Sequence, residues 1–259
     1  MIISVTNQKG GVGKTTTVLN LGACLAAAGS QVCVIDLDPQ SNLTSGLGYS
    51  LNNIDQAHLN KGSIYHVLIG KKNISEVTFK TRINNLSIIP AGIELAGSEI
   101  ELVNTVSRET ILKDALKDII NKFDFALIDC PPSLGLLTIN ALTASNEVLI
   151  PVQTEYFALE GLGQLLNTIK LIKSKLNHGL NIGGVVMTMQ DARTNLSRQV
   201  ISEIQNVFGE KVYNTIIPRN VKLSEAPSHG KTIIEYEPTS SGAQAYNELA
   251  KEFLKRHSR

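Results

Sequence analysis

The sequence predicts an α/β fold, a mostly parallel twisted sheet with helices on both faces, and two observations carry the prediction. Short β-branched or apolar runs alternate with stretches of helical periodicity, the pattern of right-handed βαβ crossovers. A glycine-rich segment joins the first such run directly to the first such helix, at the carboxyl end of a strand, where open α/β sheets hold ligands.

Strands are expected, in order, at residues 2–6, 32–36, 86–90, 125–129, 147–152, 182–188 and 212–217. Each is short, rich in Ile, Val and Leu, and followed by a helix-like or turn-rich segment, so both faces of the sheet are to be covered. Helical spacing of apolar residues marks 16–28, 110–121, 159–176, 197–208 and 242–255. The last of these places Tyr246, Leu249, Ala250 and Phe253 on one face, which reads as a cover for the sheet. Residues 49–72 are dominated by Asn, Gly and Lys and are expected to form a surface excursion.

The chain has 259 residues with 42% hydrophobic content, enough for one substantial core, so a single domain over 1–259 is expected. A net charge of +1 excludes a histone-like positive field, and any contact with nucleic acid must come from a local patch. Three cysteines, Cys24, Cys33 and Cys130, sit in apolar surroundings and read as reduced, buried thiols. The start, MIISVTNQKGG, has neither a basic leader nor a long apolar run, and no stretch reaches the ~20 apolar residues of a membrane helix, so a cytoplasmic protein is expected.

The strongest local signal is Lys9-Gly10-Gly11-Val12-Gly13-Lys14-Thr15-Thr16 between strand and helix. Small residues there let successive backbone N–H groups point inward as an anion nest, and the helix that follows adds the positive end of its dipole. This is a P-loop: Lys14 is expected to bridge the β- and γ-phosphates of ATP, and the Thr15 hydroxyl to ligate Mg²⁺. Gln8 stands where the strict pattern has glycine, and a second lysine, Lys9, opens the loop.

Two carboxylate elements follow. Asp36 and Asp38 end the second strand two residues apart and so leave the sheet on one face. Asp129 ends the apolar run 125–129, which prolines then stop; it reads as a Walker B carboxylate that holds Mg²⁺ through a water. Phosphoryl transfer to water needs positioning and charge stabilisation more than covalent chemistry, and these residues supply both.

The pattern K-G-G-x-G-K-T resembles the deviant Walker A motif of the ParA/MinD superfamily. TNQKGGVGKTT, LDPQSN, DARTNLS and IPRNVKLSEAPSHGK extend the likeness over nearly the whole chain and point to its ParA/Soj branch. The resemblance implies that Lys9 reaches across a two-fold homodimer to the partner's ATP, that Asp38 positions the attacking water, and that Asp36 supports the Mg²⁺ and phosphates. It further implies that Pro218 and Asn220 flank the adenine, and that Arg193 and Lys222 contact double-stranded DNA without sequence preference. A ParB/Spo0J-like centromere-binding partner and a nucleoid-associated location come with it. Between 193 and 231 the chain carries six basic residues against three acidic, a local patch. A MinD-like membrane or flagellar-placement ATPase is the alternative; a membrane switch calls for a further basic amphipathic helix, and only FLKRHSR follows the last packing face. None of the cysteines forms the C-x-x-C of a cluster-carrying relative, and with the P-loop so near the start an N-terminal operator-binding domain is not expected.

Overall fold

A computed structural model describes residues 1–49, 62–155, 160–191 and 193–257. Seven strands form one sheet: β1 Ile2–Val5, β2 Val32–Asp36, β3 Phe79–Lys80, β4 Leu86–Ile89, β5 Phe125–Asp129, β6 Glu147–Gln153 and β7 Asn181–Thr188. Their order is β3-β4-β2-β5-β1-β6-β7, all parallel except the short antiparallel edge β3. The helices are α1 Lys14–Ala27, α2 Asn42–Gly46, α3 Ile64–Leu68, α4 Leu95–Glu101, α5 Ile111–Leu116, α6 Leu136–Ala144, α7 Glu160–Lys175, α8 Asn195–Phe208, α9 Val221–Glu225, α10 Ile233–Tyr236 and α11 Ser241–His257.

Alternation along the central strands divides the core. Val32 and Val34 of β2 pack with Leu127 of β5 on one face, under α1 and α11. Cys33 and Ile35 turn the other way with Ala126 and Ile128, under α3, α4, α5 and α6. A third cluster beneath α7 and α8 covers Val148, Ile150 and Val152 of β6 and Val185 and Met187 of β7. Apolar residues on both faces of each strand are what a doubly covered parallel sheet requires.

Tyr246, Leu249, Ala250 and Phe253 of α11 are buried, and the Tyr246 hydroxyl meets Thr17 Oγ1 of α1 at 3.2 Å. Among the described residues no helix is long and apolar enough to cross a membrane. Cys24, Cys33 and Cys130 are buried and unpaired.

Three expectations are corrected. Residues 212–217 form no strand, only bridges from Val212 to Val185 and from Pro218 to Gln190. Glu252 of α11 takes the N–H groups of Asn214 and Thr215, both at 2.9 Å, so those two residues cannot extend a ladder along β7. Part of the stretch 49–72 is packed rather than superficial: Ile64, Val67 and Leu68 of α3 are buried; residues 50–61 lie outside the described residues. The helix expected at 110–121 is α5 followed by a separate 3₁₀ turn at Ile120–Lys122.

Candidate active site

The central position of β1 fixes the site. Val5, Asp129 and Asp36 are register neighbours across β1, β5 and β2, so the carboxylates and the start of the phosphate loop emerge at one edge of the sheet. Asn7 ties the loop down: its Nδ2 donates to Pro151 O at 2.8 Å while its Oδ1 accepts from Lys9 N at 3.0 Å. Gly11 (φ +73°) and Gly13 (φ +89°) occupy the left-handed region that other residues adopt only with strain, and Gly13 caps α1 without a side chain. The Val12 carbonyl accepts from Thr188 Oγ1 at 2.8 Å, which pins the loop to the end of β7.

Lys14 lies under this loop, 6% exposed, with its ammonium on the Lys9 carbonyl at 3.2 Å. Burial lowers its pKa, against the opposing pull of Asp129, Cys130 and Asp38. Asp36 is fully buried and well partnered, accepting from Thr44 N (2.9 Å), Thr44 Oγ1 (2.7 Å) and Asp38 N (3.2 Å). Burial pushes its carboxyl up to about 6 even so. Asp38 accepts from Gln40 N at 2.9 Å, which orders the turn beyond β2.

Asp129 is different. Both of its carboxylate oxygens are buried without a hydrogen-bond partner. Burial, and next the neighbouring Asp36, hold its pKa well above the usual carboxylate range, with the Thr15 hydroxyl and the Lys14 charge pulling the other way. An unpartnered buried carboxylate costs about 1–3 kcal/mol or more, and a hydrated divalent cation is the ligand that removes the cost. Beside the loop an apolar cleft opens between Gly13, Thr16, Met189, Pro218, Asn220 and Tyr246, the place for a nucleoside attached to phosphates in the loop. The residues thus fit a nucleoside triphosphate with Mg²⁺.

A family model described as an AAA domain matches residues 1–182. The chain is 58% identical over 251 residues to the sporulation initiation inhibitor protein Soj of Bacillus subtilis, covering 97% of each chain. It is 52% identical to the chromosome-partitioning ATPase Soj of Treponema pallidum, over 96% of this chain and 95% of that one. The chain belongs to the ParA/Soj family of chromosome-partitioning ATPases. Among solved structures, a Mycobacterium smegmatis protein described as cobyrinic acid a,c-diamide synthase, with a bound ATP analogue and magnesium, superposes with a TM-score of 0.84 at 37% identity, over 99% of this chain and 95% of that one.

In a ParA/Soj ATPase the second loop lysine is the residue to place. Lys9 Nζ pairs with Glu155 Oε2 at 3.3 Å, its side chain 34% exposed, and Glu155 also meets Arg219 at 3.5 Å. Lys14 is therefore turned into its own phosphate loop and Lys9 out to the lip. Asn220 serves as a cap: its Oδ1 accepts from Lys222 N and its Nδ2 donates to Ser241 Oγ, both at 2.8 Å. Pro218 is a wall of the cleft.

Arg193 and Lys222, the expected DNA contacts, stand apart from this chemistry. Arg193 is 88% exposed and forks onto Asp191 at 2.9 and 2.8 Å; Lys222 meets Glu225 at 2.9 Å. Their segments are neighbours, since Arg219 N donates to Gln190 O at 3.0 Å.

Glu155, Thr44, Thr188 and Met189 were not singled out by the sequence. Thr44 lies two residues beyond LDPQSN and Glu155 three beyond the expected strand 147–152, with no motif to mark them, and Thr188 and Met189 reach the loop only through the fold.

Proposed function

We propose that this single-domain ATPase, spanning 1–259, is a nucleotide-switched homodimer that binds double-stranded DNA nonspecifically in its ATP state. It acts in the cytoplasm on the nucleoid, away from membranes, and partitions chromosomes or plasmids with a ParB/Spo0J-like centromere-binding partner. ATP and Mg²⁺ are its nucleotide and metal.

The observation that carries this reading is the division of labour between the two loop lysines. Lys14 is buried beneath the loop and Lys9 stands at its lip, its ammonium in a half-exposed pair with Glu155. A charge so placed is available to a second nucleotide, which supports an ATP-bridged dimer.

Within each subunit the backbone N–H groups of residues 10–16 cradle the phosphates, and Lys14 balances the charge on the β- and γ-phosphates. Thr15 and Asp129 would hold the metal, Asp129 through water, with support from Asp36, which keeps α2 in place through Thr44. Bound Mg²⁺ would supply charge neutralisation at the transferring phosphoryl group. Asp38 orients the attacking water, Lys9 of one subunit completes the partner's site, and Pro218 and Asn220 flank the adenine. Arg193 and Lys222 then exchange their carboxylate partners for DNA phosphates.

The test is binding of the purified protein to random-sequence duplex DNA with ATP, ADP or no nucleotide. Binding with ATP alone is the expected result. Equal binding under all three conditions, or none with ATP, would overturn the switch.

A further inference from the structure

Sulfur is sparse in this chain, three cysteines and three methionines, and the fold treats them unequally. Cys24, Cys33 and Cys130 are buried, and burial pushes the thiols of Cys24 and Cys33 up to about 12 and that of Cys130 up as well. None of the three offers a thiolate to an oxidant near neutral pH. Met187 is buried in the core from β7, and Met1 stands before β1, at the far end of that strand from the phosphate loop. Met189 is half-buried and lines the nucleoside cleft.

Met189 is held there against its backbone preference. It follows the last residue of β7 at φ +53°, the left-handed region that a residue with a side chain occupies only at a cost. The chain is pinned on both sides of it. Met187 O accepts from Ile217 N at 2.9 Å and Thr188 O from Thr154 N at 3.3 Å; beyond it, Gln190 N donates to Ile217 O at 3.1 Å and Gln190 O accepts from Arg219 N at 3.0 Å. So turned, the side chain shares the cleft with Gly13, Pro218 and Tyr246, and its Cε methyl lies 3.9 Å from where a Cβ on Gly13 would stand. The thioether therefore borders both the phosphate loop and the space for the base. A flexible, polarisable sulfur suits the face or edge of a flat ring.

We propose that Met189 is a site of oxidative modification: a peroxide converts its thioether to the sulfoxide, and the sulfoxide weakens nucleotide binding. The Sδ lone pair attacks one oxygen of hydrogen peroxide, an S–O bond forms as the O–O bond breaks, and the second oxygen leaves as water with both protons. Sulfur gives up two electrons and the peroxide takes them. The oxygen so added needs a hydrogen-bond donor in an apolar cleft. Pro218 has no N–H to offer, the Tyr246 hydroxyl already meets Thr17, and the Asn220 amide donates to Ser241. The same geometry works in reverse, because a base seated in the cleft covers the thioether and shields it. Reduction of the sulfoxide by a thiol-dependent reductase restores the original side chain. The proposal rests on the cleft being the place of the base.

The probe is hydrogen peroxide, applied to the full chain with and without saturating Mg-ADP. Fragment mass spectrometry locates the added oxygen, and calorimetric titration with Mg-ATP follows removal of the peroxide and ADP. Oxygen should appear on Met189 well before Met187, more slowly when ADP is present. ATP affinity should fall about tenfold or more and return after treatment with methionine sulfoxide reductase. Met189→Leu, compared with its own untreated affinity, should change less than about twofold under the same peroxide. Oxidation that spares Met189, or a Leu variant that loses affinity to peroxide as the parent does, overturns the proposal. If the Leu variant fails to fold, recovery of the parent's affinity on enzymatic reduction decides. Oxidation slowed by ADP but without effect on affinity would leave the base in the cleft and overturn the proposal alone. Oxidation of Met189 at the same rate with and without ADP would take the base out of this cleft and the proposal with it.

Discussion

Asp36 and Asp129 sit side by side at the ends of adjacent strands, yet one carboxylate accepts three hydrogen bonds and the other accepts none. The two must therefore respond oppositely to removal. Asp36→Ala strands Thr44 and should cost about 1–3 kcal/mol of stability in the nucleotide-free protein. Asp129→Asn replaces a buried carboxyl that accepts no hydrogen bond and that Thr15 and Lys14 offset only in part, and it should leave the nucleotide-free protein as stable as the parent or more so. Only the second should abolish the extra stabilisation given by Mg-ATP over ATP alone. Urea denaturation with and without Mg-ATP checks both; an Asp129→Asn protein as destabilised as Asp36→Ala would refute the assignment.

Lys14→Ala should eliminate tight Mg-ATP binding, since the buried ammonium faces the loop from within. Lys9→Ala should retain nucleotide affinity in the monomer and lose the ATP-dependent dimer. Calorimetry and sedimentation separate the two outcomes. A normal ATP dimer in the Lys9 variant would remove its role across the interface.

Asp38→Ala should bind ATP and dimerise yet turn over slowly, at least about a hundredfold below the parent, because the cradle is intact and the water is no longer oriented. Near-normal steady-state phosphate release would assign that task to another group.

Arg193 and Lys222 already have carboxylate partners, so on the proposed reading DNA would have to displace Asp191 and Glu225 from them. Surface pairs of this kind are weak enough for a phosphate to compete. Losing both cations should weaken DNA binding across all sequences and flatten its salt dependence by about one unit of slope per phosphate contact. ATP hydrolysis should persist. A double variant that keeps the parent's DNA affinity and salt slope would move the DNA surface elsewhere.

His257 presents both ring nitrogens to acceptors, Nδ1 to the Phe253 carbonyl at 2.7 Å and Nε2 to Glu147 at 3.0 Å. Both contacts are hydrogen bonds only when the ring is protonated. Burial and Arg256 oppose the charge, but Glu147 and the carbonyl prevail and the pKa is raised. The contribution to stability is thus complete below the unfolded value of about 6.5 and is lost as pH rises through the higher folded value. His257→Ala should lower the melting temperature most at about pH 6 and least at alkaline pH. A melting difference that does not change with pH would mean that the ring acts by packing alone.

Much of this was legible in the sequence because its signals were local. The strands of 32–36 and 125–129 appear at the expected residues, since apolar runs ended by Asp leave little room for another reading. The glycines of the loop likewise declare a backbone that other residues reach only with strain. Helix α6 escaped notice for a physical reason: Leu137, Thr138, Asn140, Ala141, Leu142, Thr143 and Ala144 are all buried, so there is no polar side to set a period. Residues 212–217 misled in the opposite way. Their composition suits a strand, but Glu252, some forty positions later, takes two of the N–H groups a strand needs. The contrast between Asp36 and Asp129 was equally out of reach, because it depends on where Thr44 returns to the sheet.

The covering of α1 by α11 has a bearing on how the protein comes into being. The phosphate loop is among the first segments made, but β1 is held between β5 and β6, and α1 waits for Asn20 to receive Ile233 N and for Thr17 to meet Tyr246. A nascent chain that has grown only through the P-loop therefore has the nucleotide motif without the nucleotide pocket. Competence to bind ATP should therefore come only once Tyr246 has been made, and a chain cut before α11 should fail to bind Mg-ATP in a calorimetric titration.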